Sequence, residues 1–295
     1  MSSSSYSAAA AAAPGAGNPS LLRGSAVLII WGSVDGYSDA KLERDLNDWW
    51  TYEHLPERLA LPGFHRTRRY YRSSPPSSSS SSSNESHSNY MVLYEVSSLA
   101  TLTSPEYMHA LNNPTPRTRQ YMPVLSSLSR SACRVLASMS RAEFAPCHVG
   151  GAGGTLAHVV LEAPAAAETR ASLTNWLAHE CWAMLCTHFS SLLAMHVLEP
   201  DEAATSAGSS TKSYDGVNFK QHQQDPKSST LTSNAPEAMR PPQWMMLLEF
   251  ADPFGAPFAS YDHNCDEFAQ GLADHGVDLS KVTEQFFGLF VVMEE

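Results

Sequence analysis

The chain has 295 residues, 43% of them hydrophobic and 17% charged, with a formal net charge of −11. That length suits two ordinary domains or one large one. The acidic balance argues against a nucleic-acid partner, which requires clustered Lys and Arg facing phosphate; Arg66, Arg68 and Arg69 fall in one expected strand and make no extended patch.

Residues 1–24, MSSSSYSAAAAAAPGAGNPSLLRG, lack the basic and leucine-rich regions of a secretory signal. They are rich in Ser and Ala, free of acids and carry one arginine, which leaves only a weak mitochondrial reading. They are expected to be a disordered tail on a cytoplasmic protein. The cysteines at 133, 147, 181, 186 and 265 are odd in number and include no CxxC pair, the usage of reduced intracellular thiols. No apolar run is long enough to cross a bilayer as a helix, so no membrane association is expected.

In chain order, SAVLIIWGSV (25–34) reads as a buried strand. Residues 38–61 carry helical periodicity through Leu42, Leu46, Trp49 and Trp50, with Ser38 or Asp39 as the cap. FHRTRRYY and NYMVLYEVSS (89–98) are strands, separated by the Ser-rich stretch 73–88. A second helix starts near Ser104, with Pro105 in its first turn, and stops near NNPTP; SACRVLASMS (131–140) is the last strand of the unit. The order β-α-β-β-α-β is the split-βαβ, ferredoxin-like plan.

The second half repeats this plan. DLNDWWTYEH aligns with SLTNWLAHEC, pairing Leu46 with Leu173, Trp49 with Trp176 and Glu53 with Glu180. YMVLYEV aligns with WMMLLEF, and the same spacing continues without gaps from Glu95/Glu249 through Tyr107/Tyr261 and His109/His263 to Met139/Met293. The expected division is one repeat over 25–146, a glycine-rich linker at 147–154 and a second repeat over 155–295. The stretch 201–242 falls at the same point of its repeat as 73–88, and both are expected to be disordered because they carry too little apolar surface to offset ordering. A four-stranded sheet with helices on one face leaves the other bare, so the expected fold is α+β, two fused ferredoxin-like repeats closing on each other as a barrel within one chain. Such a chain needs no partner copy to complete its barrel, although barrels of this kind can form homo-oligomers.

Trp50-x-x-x-His54-Leu55-Pro56, followed by Gly63-Phe64 and a strand, resembles the Y/W-x-x-x-H-x-P signature of EthD-like members of the dimeric α/β-barrel superfamily. The longer WWTYEHLPERLALPGFHRTRRY is similar to members whose helix reads E-H-L-P-E-R before P-G-F, and SPEYMHALNNPTPRTR (104–119) resembles their second helix. The resemblance covers about residues 25–140, and reaches 155–295 only through the repeat. It implies the barrel fold more strongly than any activity, since the superfamily spans cofactor-free monooxygenases, isomerases, polyketide-tailoring enzymes and haem proteins.

On a regular helix Trp50, His54 and Arg58 share one side, with Trp49, Glu53 and Glu57 beside them. Pro56 removes a backbone donor, so a kink or helix end is expected near the histidine. An imidazole oriented by Glu53, Glu57 or Glu95 suits general acid–base work. The expected site places His54 and Glu53 as catalytic groups and Trp50, Arg58, Arg66, Arg68, Tyr70, Tyr94 and His109 around a small hydrophobic molecule, with no metal and no cofactor. The reaction is left among dehydration, isomerisation, decarboxylation and oxygenation, beside a non-catalytic binding role. In the second repeat Cys181, Ala183 and Leu185 stand where the first has His54, Pro56 and Arg58. The first repeat is therefore expected to hold the site, and Cys181 to be a buried inert thiol rather than a nucleophile.

Overall fold

The computed structural model describes residues 22–34, 40–72, 89–141, 153–215, 217, 219, 241–252 and 266–294. The expected cap at Ser38 or Asp39, the tail up to residue 21, the stretch 73–88, residues 147–152 and the neighbourhood of Tyr261 and His263 lie outside them.

The first repeat runs β1 (Ala26–Ser33), α1 (Ala40–Trp49), α2 (Leu55–Leu59), β2 (Phe64–Arg72), β3 (Asn89–Val96), α3 (Pro105–Asn112), α4 (Pro116–Tyr121) and β4 (Ser129–Ser140). The second runs β5 (Thr155–Glu162), α5 (Ala167–Trp176), α6 (Trp182–His188), β6 (Leu192–Pro200), α7 (Glu202–Ser206), β7 (Gln243–Phe250), α8 (Asp266–Asp274) and β8 (Thr283–Glu294). All pairings are antiparallel, and the strands close in the order β1-β3-β2-β8-β5-β7-β6-β4.

Closure depends on two long strands. The first part of β4 pairs with β1, from Ala26↔Arg134 to Trp31↔Ser129. Its second part pairs with β6 of the other repeat, from Cys133↔Pro200 to Ser140↔Ala194. In the same way β8 runs along β5 and then along β2, from Tyr71↔Gly288 to Arg66↔Glu294. Each 12-residue strand thus satisfies the edge of its own sheet and the edge of its neighbour's.

The helix is irregular next to the histidine, where a kink or end is expected, but not for the expected reason. The helix does not end at Pro56; it widens into a π-helical turn, Trp50–His54, and continues through α2. Proline is not the cause, because a π turn recurs at Leu177–Cys181, where Ala183 replaces Pro56. Gly63 then turns the chain into β2 at a φ of 85°, where a Cβ would lie 2.9 Å from the Thr101 hydroxyl. Ser104 caps α3 by accepting from the Tyr107 amide, and Pro105 opens that helix as expected. A further short helix, α4, follows NNPTP, capped by Thr115.

The repeats also share an aromatic stack. Trp49 lies on Tyr121 at 5.4 Å between ring centroids, and Trp176 lies on His275 at 4.9 Å. In the second repeat the helix approaches closely enough that a Cβ on Gly271 would sit 2.0 Å from the Trp176 ring.

The start of 201–242 does not behave as a disordered insert. α7 is capped by Asp201, and Thr211, Ser213, Tyr214 and Val217 are buried, with Ala204, Tyr214 and Val217 joining the apolar core of the first repeat. Small residues let this segment lie close to α3, where Gly208 approaches Leu111.

The barrel interior is mostly apolar and is crossed by an ionic chain. Val27, Ile29, Trp31, Met91, Leu93, Leu156, Leu198, Met245, Leu247 and Phe287 pack there. Glu95 takes Arg66 through two bonds of 2.9 Å and Arg68 at 2.7 Å. Arg68 continues to Glu249 at 2.7 Å and to the Tyr70 hydroxyl at 3.0 Å. Glu249 also meets His196 at 3.0 Å and accepts from the Gly153 amide, and His196 reaches Ser138. Burial alone would raise the Glu249 carboxyl, but Arg68 and His196 hold it far below the usual carboxylate range. Replacing Glu95 by Gln should leave two buried arginines undercompensated and cost about 3–5 kcal/mol in urea unfolding. For Glu249, a depressed carboxyl stabilises the fold fully above the ordinary carboxylate pKa, about 4.3. That contribution should disappear as pH falls below it, so wild-type stability should drop more steeply in acid than that of Glu249→Gln.

Candidate functional site

Both faces of β2 are buried, and the expected site residues divide between them. Arg66, Arg68 and Tyr70 point into the barrel and belong to the ionic chain just described. Arg69 lies on the other face, under the helices, with Trp50 and Tyr90. The expectation that Arg66, Arg68 and Tyr70 share a face is met, but that face is separated from His54 by the sheet. Glu95 and Glu249 likewise bind strand arginines on that face, so Glu95 does not orient the imidazole.

The helix-side face carries the other candidates. The π turn and α2 bury Trp50, His54 and Arg58 against Tyr94 of β3, while Tyr52 faces solvent. The His54 ring lies 4.8 Å from Trp49. Burial, assisted by Arg58, lowers the His54 pKa well below its ordinary value. Among the described residues no carboxylate reaches it. Glu53 instead accepts from the Thr115 hydroxyl at 2.6 Å and pairs with Arg117 at 3.2 Å, so it fastens α4 and does not orient the imidazole. His109 is exposed and contacts Asn113, away from the other candidates.

Three neighbours were not legible from motif spacing. Tyr107 of α3 faces Arg58, whose guanidinium carbon is 5.9 Å from its ring centre. Arg130 of β4 lies 5.3 Å from the centre of the Tyr214 ring, and the Tyr107 and Tyr214 hydroxyls are 3.5 Å apart. Burial raises the Tyr94 phenol to about 12. It pushes Tyr107 the same way, but Arg130 and Arg58 outweigh it and bring that phenol below its ordinary value. This buried polar cluster, a helix-side chamber, includes His54 Nδ1 and Arg58 Nη1 without a hydrogen-bond partner, while Trp50 meets the Tyr94 hydroxyl and Arg130 those of Tyr107 and Tyr214.

A surface cleft of about 190 Å³ opens beside this chamber, lined by Glu43, Asn47, Arg69, Tyr70, Tyr71, Tyr90 and Phe290. His54 is not in its wall. Trp50 packs behind that wall, 4.7 Å from Arg69 and 5.9 Å from Tyr90. Arg69 bonds to Thr51 and Asn47, and burial lowers its pKa to about 10.

The second repeat offers a comparison within the molecule. At the positions of Trp50, His54, Arg58, Arg69 and Tyr94 it has Leu177, Cys181, Leu185, Val197 and Leu248, all buried in an apolar core. Burial raises the Cys181 thiol to about 12, in keeping with an inert thiol. Among the described residues no group of three His, Cys, Asp or Glu side chains could hold a metal ion, and no helix is long and apolar enough to cross a membrane.

Among solved structures, an anthrone oxidase-like protein matches 93% of this chain and 95% of its own at 8% identity and a TM-score of 0.50. The architecture is that of a dimeric α/β barrel, closed within one polypeptide. A candidate monooxygenase from Lactobacillus acidophilus NCFM (8% identity, 92% of this chain and 96% of that one, TM-score 0.42) and a monooxygenase-like protein from Listeria innocua (8%, 92% and 96%, 0.35) are weaker matches. No family model and no curated protein matches the sequence.

Because the native environment disfavours the imidazolium, His54 should remain neutral below pH 6.5, and an NMR titration of its ring carbons should show no inflection near that value. The energetic sign follows. A depressed histidine pKa favours the unfolded state, which takes up the proton, as pH falls through about 6.5. His54→Leu should therefore flatten the acid side of the stability profile between about pH 6.5 and 5.

Proposed function

We propose that the chain binds a small hydrophobic molecule between the helices and sheet of its first repeat and acts on it without a cofactor, with His54 as proton acceptor. The observation that carries this reading is the contrast between repeats. One scaffold position holds Trp50, His54, Arg58 and Tyr94 in the first repeat and four apolar or thiol side chains in the second. Each buried polar atom left unpaired costs about 1–3 kcal/mol, and the second repeat achieves the same fold without that cost. A chamber that the fold does not need is best understood as serving a ligand.

A neutral imidazole in a buried setting is competent to remove a proton. Proton removal next to a carbonyl is a step shared by dehydration, isomerisation, decarboxylation and cofactor-free oxygenation. The structural neighbours bear on the fold alone, so the choice among these classes stays open.

A second reading, binding without turnover, is favoured by one observation. Among the described residues His54 has no carboxylate partner of the kind that orients most acid–base histidines. The two readings separate in a single experiment. Wild-type protein and His54→Gln are incubated with a fractionated metabolite mixture, and mass spectrometry follows which compounds are retained and which are transformed. On the enzymatic reading, His54→Gln retains the same compounds and transforms them at least about 100-fold more slowly. Transformation at the wild-type rate would remove His54 from the chemistry, and retention with no transformation by either protein would establish the binding role.

A further inference from the structure

The chamber contains more buried positive charge than the described residues neutralise. Arg58 and Arg130 are 4% and 7% exposed. Neither has an ion-pair partner among the described residues; Arg58 Nη1 has no hydrogen-bond partner, and Arg130 meets the Thr205 carbonyl and the hydroxyls of Tyr107 and Tyr214 rather than a carboxylate. Of the other buried arginines, Arg69 is held by Thr51 and Asn47 without a carboxylate, whereas the two in the barrel are paired. Arg66 and Arg68, in the barrel, each meet a carboxylate within 2.9 Å. An uncompensated buried cation is costly, and the chain carries a large excess of acids from which a counter-charge could have been placed.

The surroundings define the missing group. Arg58 comes from α2, Arg130 from β4, and the Tyr107 and Tyr214 hydroxyls meet between them. The Ser213 hydroxyl, also buried and unpartnered, lies next to Tyr214 in the chain. These groups offer N–H and O–H donors, and no described carboxylate competes for them. Leu111 and Phe64 of the same apolar core pack beside them. Forked guanidinium donors match the two oxygens of a planar carboxylate. Resting on the small-molecule reading above, we propose that Arg58 and Arg130, with Tyr107 and Tyr214, form a receptor for the carboxylate of an aromatic acid. The segment after α7 is then part of the binding site, since it supplies Tyr214.

The test compares 2-naphthoate with its neutral isostere 2-naphthamide by calorimetry at low salt, on the full chain. Wild type should bind naphthoate at least tenfold more tightly than naphthamide. Arg58→Met and Arg130→Met should each lose at least tenfold in naphthoate affinity while naphthamide affinity changes less than twofold. Without ligand, both variants should melt at or above the wild-type Tm, because an unpaired cation is replaced by an apolar chain of similar length. A lower Tm in both variants would mean that the cations serve the fold, and would overturn the proposal. So would equal affinity of the wild type for the two probes, or naphthoate affinity unchanged in the variants. His54→Gln should bind naphthoate like wild type, so loss of turnover and loss of the anion receptor are read in separate measurements.

Discussion

Two carboxylates in the dry centre of the barrel, Glu95 and Glu249, set the terms for the rest of the structure. They occupy matching positions in the two repeats, and Arg68 bridges them. The attraction is strong because water is excluded, but removal of either partner leaves a charge that the interior cannot solvate. The chain therefore joins its repeats in two ways, by main-chain pairing at two seams and by one ionic chain across the middle. Precise placement of β2 follows, and with it the placement of Arg69 on the opposite face of that strand.

The repeats resemble each other in what holds them and differ in what they enclose. The π turn, the aromatic stack and the strand order recur. The polar set under the first helix does not, and its place is filled by Leu177, Cys181, Leu185 and Leu248. A symmetric pair of identical subunits would be obliged to carry the same side chains at both places. Two repeats in one chain can differ, so one can keep a chamber while the other packs solidly and supplies stability.

Much of this was legible in the sequence because the signals were local. Alternation and β-branching marked the strands, Ser104-Pro105 marked a helix start, and PGF marked the turn into β2. The spacing from Glu95 and Glu249 to Met139 and Met293 exposed the repeat, and strands β4 and β8 fall at corresponding positions. What failed was non-local. Alternation groups Arg66, Arg68 and Tyr70 on one face, but a strand buried on both sides gives no indication of which face looks into the barrel. Glu53 carried every mark of a histidine partner, yet its choice of Thr115 and Arg117 depends on a helix distant in sequence. Residues 202–217 were hidden by composition. Their many small and polar residues read as unstructured, while Ala204, Tyr214 and Val217 anchor them in the core of the first repeat.

The two long strands have a consequence for how the molecule comes apart. Because half of β4 and half of β8 are bonded to the opposite repeat, neither repeat is a self-sufficient folding unit. Separation of the two repeats would strip hydrogen bonds from four strand edges at once. The barrel is accordingly a single cooperative structure, and damage at one seam propagates to the surface cleft through β2, which lies at that seam and carries Arg69 in the cleft wall.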